Sequence, residues 1–357
     1  MSKHTANDST SERPPQKSRA RTPAHASTFV YRPRDWVVKA ELKDNVALMV
    51  SKYNAKELVV KKVMARKSPV RDAPELQWLK ALPHCNRIVK PILCFPNRRD
   101  NDMTAIFRHY PMGDLYDWRR SNFVEKLSKP VPESYIWRMF VQIAQALAFI
   151  QNKLGPRQHD RIVIIHRDIK PKNILVVDNG STYPSFKLID FGLAMEYVKD
   201  RANEEARVGT FEWQPPENPM INRRAADVWA LGACVHFLAT GSPPLQNVEQ
   251  YSNMRYNENQ AHPSSVSEYK TPGRYYAAHV PREVMSLDVS GQPPNDHQYS
   301  HELDRWMKMC LRHAPGGRPT AETLARDMVR EARTILRSLG GQAAVIDLWI
   351  EFGPKAQ

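Results

Sequence analysis

The apolar residues of this chain change their period part-way along it, and that change limits the fold more than any other feature. Three short β-rich runs, Trp36 to Glu41, Val46 to Ser51 and Glu57 to Val63, follow one another across brief polar links, as in an antiparallel meander. Pro74 to Leu82 then places Leu76, Leu79 and Leu82 at helical spacing, and two further apolar runs follow at Ile88 to Phe95 and Thr104 to His109. Beyond Met112-Gly113-Asp114-Leu115 the period becomes helical. Ile136, Phe140, Ile143, Leu147 and Ile150 share one face of a helix predicted over Pro132 to Lys153. Further helices are predicted over about residues 225–240, 302–312 and 321–339. Strands first and helices after predict an α+β chain in which a small sheet lobe joins a larger helical lobe.

The segments between these elements divide the chain. Residues 1–27 are rich in Ser, Thr, Pro and basic side chains, with almost nothing large and apolar to offset the entropy of folding, so a disordered basic leader is expected there. The Lys17 to Arg21 cluster inside it has the composition of a nuclear-import signal and equally that of a solvated tail. The sheet lobe is assigned to residues 28–110, the helical lobe to 111–339, and a C-terminal extension to 340–357. Within the helical lobe, residues 246–300 read as a long polar insertion, rich in Asn, Ser, Pro and Tyr.

Composition narrows the function classes. No apolar run reaches the roughly 20 residues that cross a bilayer, so no membrane partner is expected. Cys85, Cys94, Cys234 and Cys310 have neither paired nor metal-ligand spacing, which fits a reducing, intracellular compartment, cytoplasmic or nuclear. The net charge of +14 raises the question of nucleic acid. Without a zinc-finger pattern or glycine-aromatic repeats to give that charge a specific use, a solvated basic surface is the reading adopted.

The chemistry is concentrated in His166-Arg167-Asp168-Ile169-Lys170-Pro171-Lys172-Asn173 and, further on, Asp190-Phe191-Gly192. Transfer of a phosphoryl group from ATP to a hydroxyl needs a carboxylate beside the incoming oxygen and oxygen ligands that hold Mg²⁺ against the phosphates. Asp168 fits the first need, and Asn173 and Asp190 fit the second. Either tripeptide alone would be a chance match, but their order and spacing resemble the catalytic loop and metal-binding motif of the eukaryotic-type protein kinases. Gly209-Thr210, Pro215-Pro216-Glu217, Asp227-Val228-Trp229-Ala230-Leu231-Gly232 and Arg318-Pro319 extend the resemblance in the family's order, over about Trp36 to Leu339.

The resemblance implies a bilobal kinase-like fold, a small antiparallel sheet lobe with one main helix and a larger helical lobe, that uses ATP and Mg²⁺ on protein substrates. Lys170 and Thr210 are those of the serine/threonine type and belong with Asp168 in catalysis. Glu217 is expected to pair with Arg318, and Asp227 to brace the catalytic loop. Leu58-Val59-Val60-Lys61 stands where the family has V-A-I-K, so Lys61 is expected to pair with Glu75 and to reach the nucleotide phosphates. Lys62 is an adjacent competitor, and strand alternation puts Val59 and Lys61 on one face and Lys62 on the other. Val46, Val59 and Leu175 are assigned to the adenine pocket, and Arg108 and Tyr110 to the hinge beside it, with Phe107 at its back. Lys172 stands where kinases preferring basic substrates often carry glutamate, which points to acidic rather than basic substrates.

The family's phosphate-covering G-x-G-x-x-G is missing. Its glycine positions fall on Lys39, Glu41 and Asp44, and no glycine occurs between Asp35 and Lys61. Carboxylates at Glu41 and Asp44, with Val59 in place of the usual alanine, predict weaker nucleotide binding. Two function classes therefore stand: an ATP-dependent serine/threonine kinase, and a catalytically weak or inactive kinase-fold module that acts by binding. Arg167 beside the catalytic aspartate suggests control by an anion, for which Glu204 and Glu205 are candidates, as built-in charges or simply as solvated loop residues.

Overall fold

The computed structural model describes residues 29–68, 70–97, 101–126, 129–201, 203–218, 221, 223–288 and 298–353. The leader expected over residues 1–27 lies outside them. Five antiparallel strands make the first lobe: β1 (Trp36–Lys43), β2 (Val46–Ser51), β3 (Leu58–Ala65), β4 (Leu93–Pro96) and β5 (Asp102–Arg108), in the order β1-β2-β3-β5-β4. Helix α1 (Pro74–Ala81) lies between β3 and β4 in the chain. Pro74 opens it at a position where a missing N–H costs nothing, and Glu75 sits in the first turn, where the helix dipole favours an acid.

The two faces of the sheet have different tasks. Val59, Ala47, Met49 and Ile106 form one face and pack with Trp36 under Phe29, Tyr31 and Phe95. Met64, Met103 and Ala105 form the other and pack with Ala73 and Leu76 at α1. The alternation of β3 therefore decides which of its side chains look toward α1 and the cleft.

The second lobe is built around α3 (Glu133–Ile150), which follows the short α2 (Leu115–Arg119). Ile136, Phe140, Ile143, Leu147 and Ile150 have no exposed surface. Each contributes about 1.5–3 kcal/mol relative to leaving it in water. Strand β6 (Ile164–Ile165) pairs with β9 (Met195–Glu196), and β7 (Ile174–Val177) with β8 (Ser185–Leu188). Helix α4 (Arg224–Thr240) packs on α3. Residues 246–288 carry α5 (Val248–Asn259) and α6 (Pro272–His279), so the described part of the segment read as a polar insertion is largely ordered. Its local signals were caps rather than apolar stripes: the Asn247 and Thr271 side chains accept from Gln250 and Arg274 backbone N–H groups. Helix α7 (His301–Cys310) precedes α8 (Ala321–Thr323), which runs through a π-turn into α9 (Val329–Gly340).

After α9 the chain returns across α3 to the sheet lobe. Arg138, fully buried on α3, donates to the carbonyls of Pro184, Ala344 and Ile346. Asp347 accepts from Arg87 at 3.3 Å, from Asn86 at 3.0 Å and from Ser185 at 2.5 Å. This segment thus ties the 86–88 loop, which follows α1, to the second lobe. No helix among the described residues is long and apolar enough to cross a membrane.

Candidate active site

The catalytic loop begins where β6 ends. Asp227, in the first turn of α4 and fully enclosed, accepts the backbone N–H groups of His166 at 2.8 Å and Arg167 at 2.9 Å. Arg167 has a left-handed φ of 66°, a conformation that needs such a brace. Gly209 seals it from the other side: with φ 96° and the space for a Cβ only 2.5 Å from the Arg167 carbonyl oxygen, no larger residue fits without displacing the loop.

Held this way, Asp168, Lys170, Asn173 and Thr210 converge. The Thr210 hydroxyl donates to Asp168 Oδ1 at 2.8 Å and its N–H to the same oxygen at 3.1 Å. Lys170 Nζ lies 2.9 Å from Asp168 Oδ2 and 2.7 Å from the Thr210 hydroxyl. Asn173 Nδ2 donates to the Asp168 carbonyl at 2.8 Å and to Oδ2 at 2.9 Å. That leaves Asn173 Oδ1 as a buried oxygen with no hydrogen-bond partner among the described residues. A buried acceptor left bare costs stability, and a water or a cation bound there would satisfy it.

The second carboxylate approaches from the loop after β8. Asp190 adopts φ 65° and turns Phe191 into the core, where its ring meets His166 edge-on at 4.9 Å. The Asp190 carboxylate remains one-third exposed toward the cleft. Its partner is Lys62, whose Nζ lies 3.0 Å from Asp190 Oδ1 and 2.5 Å from Glu75 Oε2. Burial pulls the Lys62 pKa down, but the Glu75 and Asp190 carboxylates outweigh it and raise the pKa above the usual lysine range. At Asp190 burial pushes up and Lys62 pulls down, and the result lies below the ordinary carboxylate value.

Lys62 therefore takes the place expected for Lys61. Val59 and Lys61 do share a face of β3, but it is the outer one. Lys61 stands opposite Ala47 and Ile106, in the layer under Trp36, whereas Lys62 stands opposite Val46 and Ala105, on the face toward α1. The same correction moves Val59, buried under Trp36, out of the adenine pocket and brings in Val60, which pairs with Phe107 on the cleft side. Val46 keeps its assigned face because it stands opposite Lys62.

Two further expectations are revised. The glycine-free loop is a tight hairpin whose turn residue Asn45 takes φ 63°, and Glu41 stands opposite Ala47, on the face away from the cleft, so it adds no charge there. Neither Glu204 nor Glu205 serves Arg167: Glu204 pairs with Arg201 at 2.7 Å and Glu205 with Arg207 at 2.6 Å, while Arg167 Nε donates to the Leu193 carbonyl at 2.6 Å. Glu217 and Arg318 do form the expected bidentate pair, at 2.7 and 2.9 Å. Leu175, on β7, bridges to Asp114 just beyond the hinge, and the Tyr110 carbonyl accepts from Gly113 at 3.1 Å. Arg108 directs its side chain to the outer face opposite Val59, so only its backbone can line the pocket.

The family model of the protein kinase domain matches residues 44–329. The chain belongs to the protein kinase family. Among curated relatives the kinase is 27% identical to mitogen-activated protein kinase kinase 2 of Arabidopsis thaliana, over 62% of this chain and 51% of that one. It is 26% identical to mitogen-activated protein kinase kinase kinase 19 of Homo sapiens, over 74% of this chain and 17% of that one. It is 27% identical to the dual specificity mitogen-activated protein kinase kinase mek-2 of Caenorhabditis elegans, over 64% of this chain and 57% of that one. The alignments thus cover little more than half of those relatives' length at most. Sequence reasoning weighed Lys62 and set it aside, and did not consider Val60, because Leu58-Val59-Val60-Lys61 keeps three apolar residues before its lysine, whereas Val59-Val60-Lys61-Lys62 puts a lysine where V-A-I-K has isoleucine.

Proposed function

We propose that this kinase transfers the γ-phosphate of ATP to serine or threonine hydroxyls of protein substrates. The observation that carries the reading is the convergence of Asp168, Lys170 and Thr210 within hydrogen-bond reach, beside a Lys62–Glu75–Asp190 relay with all its members paired. In a decayed site one or more of these links would be broken.

In the proposed reaction the substrate hydroxyl lies against Asp168, which takes its proton as the oxygen bonds to the γ-phosphorus and the bond to the β-phosphate oxygen breaks, releasing ADP. Thr210 and Asn173 fix the Asp168 carboxylate, so its orientation is set before substrate arrives. Lys170 places a positive charge beside the transferred group, and Lys62, oriented by Glu75, does the same for the α- and β-phosphates. Asn173 Oδ1 and the Asp190 carboxylate are the oxygen donors suited to Mg²⁺, which prefers one or two protein ligands plus phosphate and water. When bound, the ion neutralises charge on the phosphate oxygens. Val46, Val60, Leu175 and the backbone of Arg108 to Tyr110 are assigned to the adenine. Acidic protein substrates suit the basic chain, and Lys172, stacked 5.0 Å from the Tyr116 ring, offers no carboxylate to a basic peptide. The test is phosphotransfer from millimolar MgATP to generic protein substrates, with Asp168→Asn as the blank. Equal incorporation by both proteins would favour the binding-module reading.

A further inference from the structure

A protein kinase without glycines over the phosphates must replace what those glycines supply, and the β1–β2 hairpin carries a replacement. A glycine loop lets backbone N–H groups approach phosphate oxygens closely. Here residues 40, 41 and 43 are engaged in pairing with β2, so much of that backbone is committed to the ladder. Side chains must then provide the charge.

The register shows which one can. Glu41 and Lys43 are two apart and would share a face of a regular strand. A bulge at Leu42 separates them, because Glu41 pairs with Ala47 but Lys43 pairs with Val46. Residues paired across an antiparallel ladder lie on the same face. Val46 in turn pairs with Lys62 on β3, so Lys43, Val46 and Lys62 form one row across three strands, on the cleft side. The bulge has thus turned the carboxylate outward and the ammonium inward. Lys43 is exposed, and no ion pair to it is found among the described residues.

We propose that the Lys43 ammonium is the phosphate-binding group of this hairpin and holds the polyphosphate of a nucleoside triphosphate from above, in place of the backbone amides of a glycine loop. The proposal rests on the nucleotide site described above and deepens it. It makes phosphate recognition depend on side-chain charge, so affinity for the triphosphate falls with added salt more steeply than affinity for adenosine.

The experiment is equilibrium binding of a fluorescent ATP analogue, with adenosine as competitor, to the full chain and its variants. Lys43→Ala weakens the triphosphate about tenfold, the loss of one charge-assisted contact, and leaves adenosine unchanged. Lys43→Arg restores most of the affinity, and Glu41→Ala, on the outer face, changes neither ligand. In turnover assays Lys43→Ala raises the KM for MgATP and leaves kcat within about twofold. Unchanged triphosphate affinity in Lys43→Ala, an equal loss for adenosine, or no triphosphate binding by the unmodified chain would each overturn the proposal. Binding is read without turnover, so an inactive enzyme that still loses triphosphate affinity on Lys43→Ala would refute the catalytic reading and leave this one standing.

Discussion

Replacing each of two neighbouring lysines by methionine separates the relay from the sheet packing. Lys62→Met keeps the aliphatic stem and deletes an ammonium 2.5 Å from Glu75 and 3.0 Å from Asp190. The Lys62 side chain is 19% exposed and that of Glu75 7%, so the remaining carboxylate is left buried and unpaired. Removing one partner of such a pair costs about 3–5 kcal/mol, and the lower end is expected because Glu75 can discard its charge by taking up a proton. Burial already raises Glu75, with Lys62 opposing it, and the variant loses the opposition. A carboxyl whose folded pKa lies above its unfolded value contributes most stability below the unfolded value and loses it as pH rises through the folded one. The deficit of Lys62→Met relative to the parent should thus be smaller at about pH 5 than at about pH 8, when both are followed by thermal melts. Turnover should fall by about 10²- to 10³-fold, as when one preorganised donor is removed from a charged transition state. Lys61→Met, on the layer under Trp36, should stay within about 0.5 kcal/mol and keep its activity. Loss of activity in Lys61→Met with Lys62→Met active would refute the assignment of faces on β3.

Thr210→Ala should lower kcat by about tenfold with little change in the KM for ATP, because its hydroxyl bridges Asp168 and Lys170 rather than the nucleotide, and Thr210→Ser should recover most of it. Arg318→Met leaves Glu217 without its bidentate partner in a buried setting, and chemical denaturation should register a loss of about 3–5 kcal/mol. Asp347→Ala removes the acceptor shared by Asn86, Arg87 and Ser185, and melts should show about 1–3 kcal/mol of destabilisation.

Much of the fold was legible because its signals are local. The β-rich runs became β1 to β3, and the apolar stripe from Ile136 to Ile150 lies on α3, a helix buried on nearly all sides. The catalytic loop was legible for a related reason. Asp168, Lys170 and Asn173 lie within six residues, so chain connectivity nearly fixes their mutual distances, and Thr210 needed only the family's order to be placed beside them. Residues 246–288 failed the same test. Helix α5 buries none of its residues and α6 only Tyr276 and Ala277, so periodicity has little to report there.

The misplaced lysine shows where local reading stops. Alternation along β3 states that Lys61 and Lys62 point in opposite directions, but it is symmetric between the two faces. The symmetry is broken only by what covers each face: Phe29, Tyr31 and Phe95 on one side, and Leu76 with Ala73 of the α1 region on the other. Phe29, Tyr31 and Phe95 lie about 30 residues from the two lysines, and Ala73 and Leu76 lie beyond the end of the strand, so no residue inside the strand announces these contacts. The bulge at Leu42 is harder still, because it reverses the face of Lys43 relative to Glu41 without a glycine or proline to mark it. A run with two adjacent lysines thus leaves the sequence with two equally regular solutions, and tertiary packing selects the one that places an ammonium between Glu75 and Asp190. The alternative would bury neither carboxylate's partner and would leave Glu75, with 6% of its surface exposed, uncompensated.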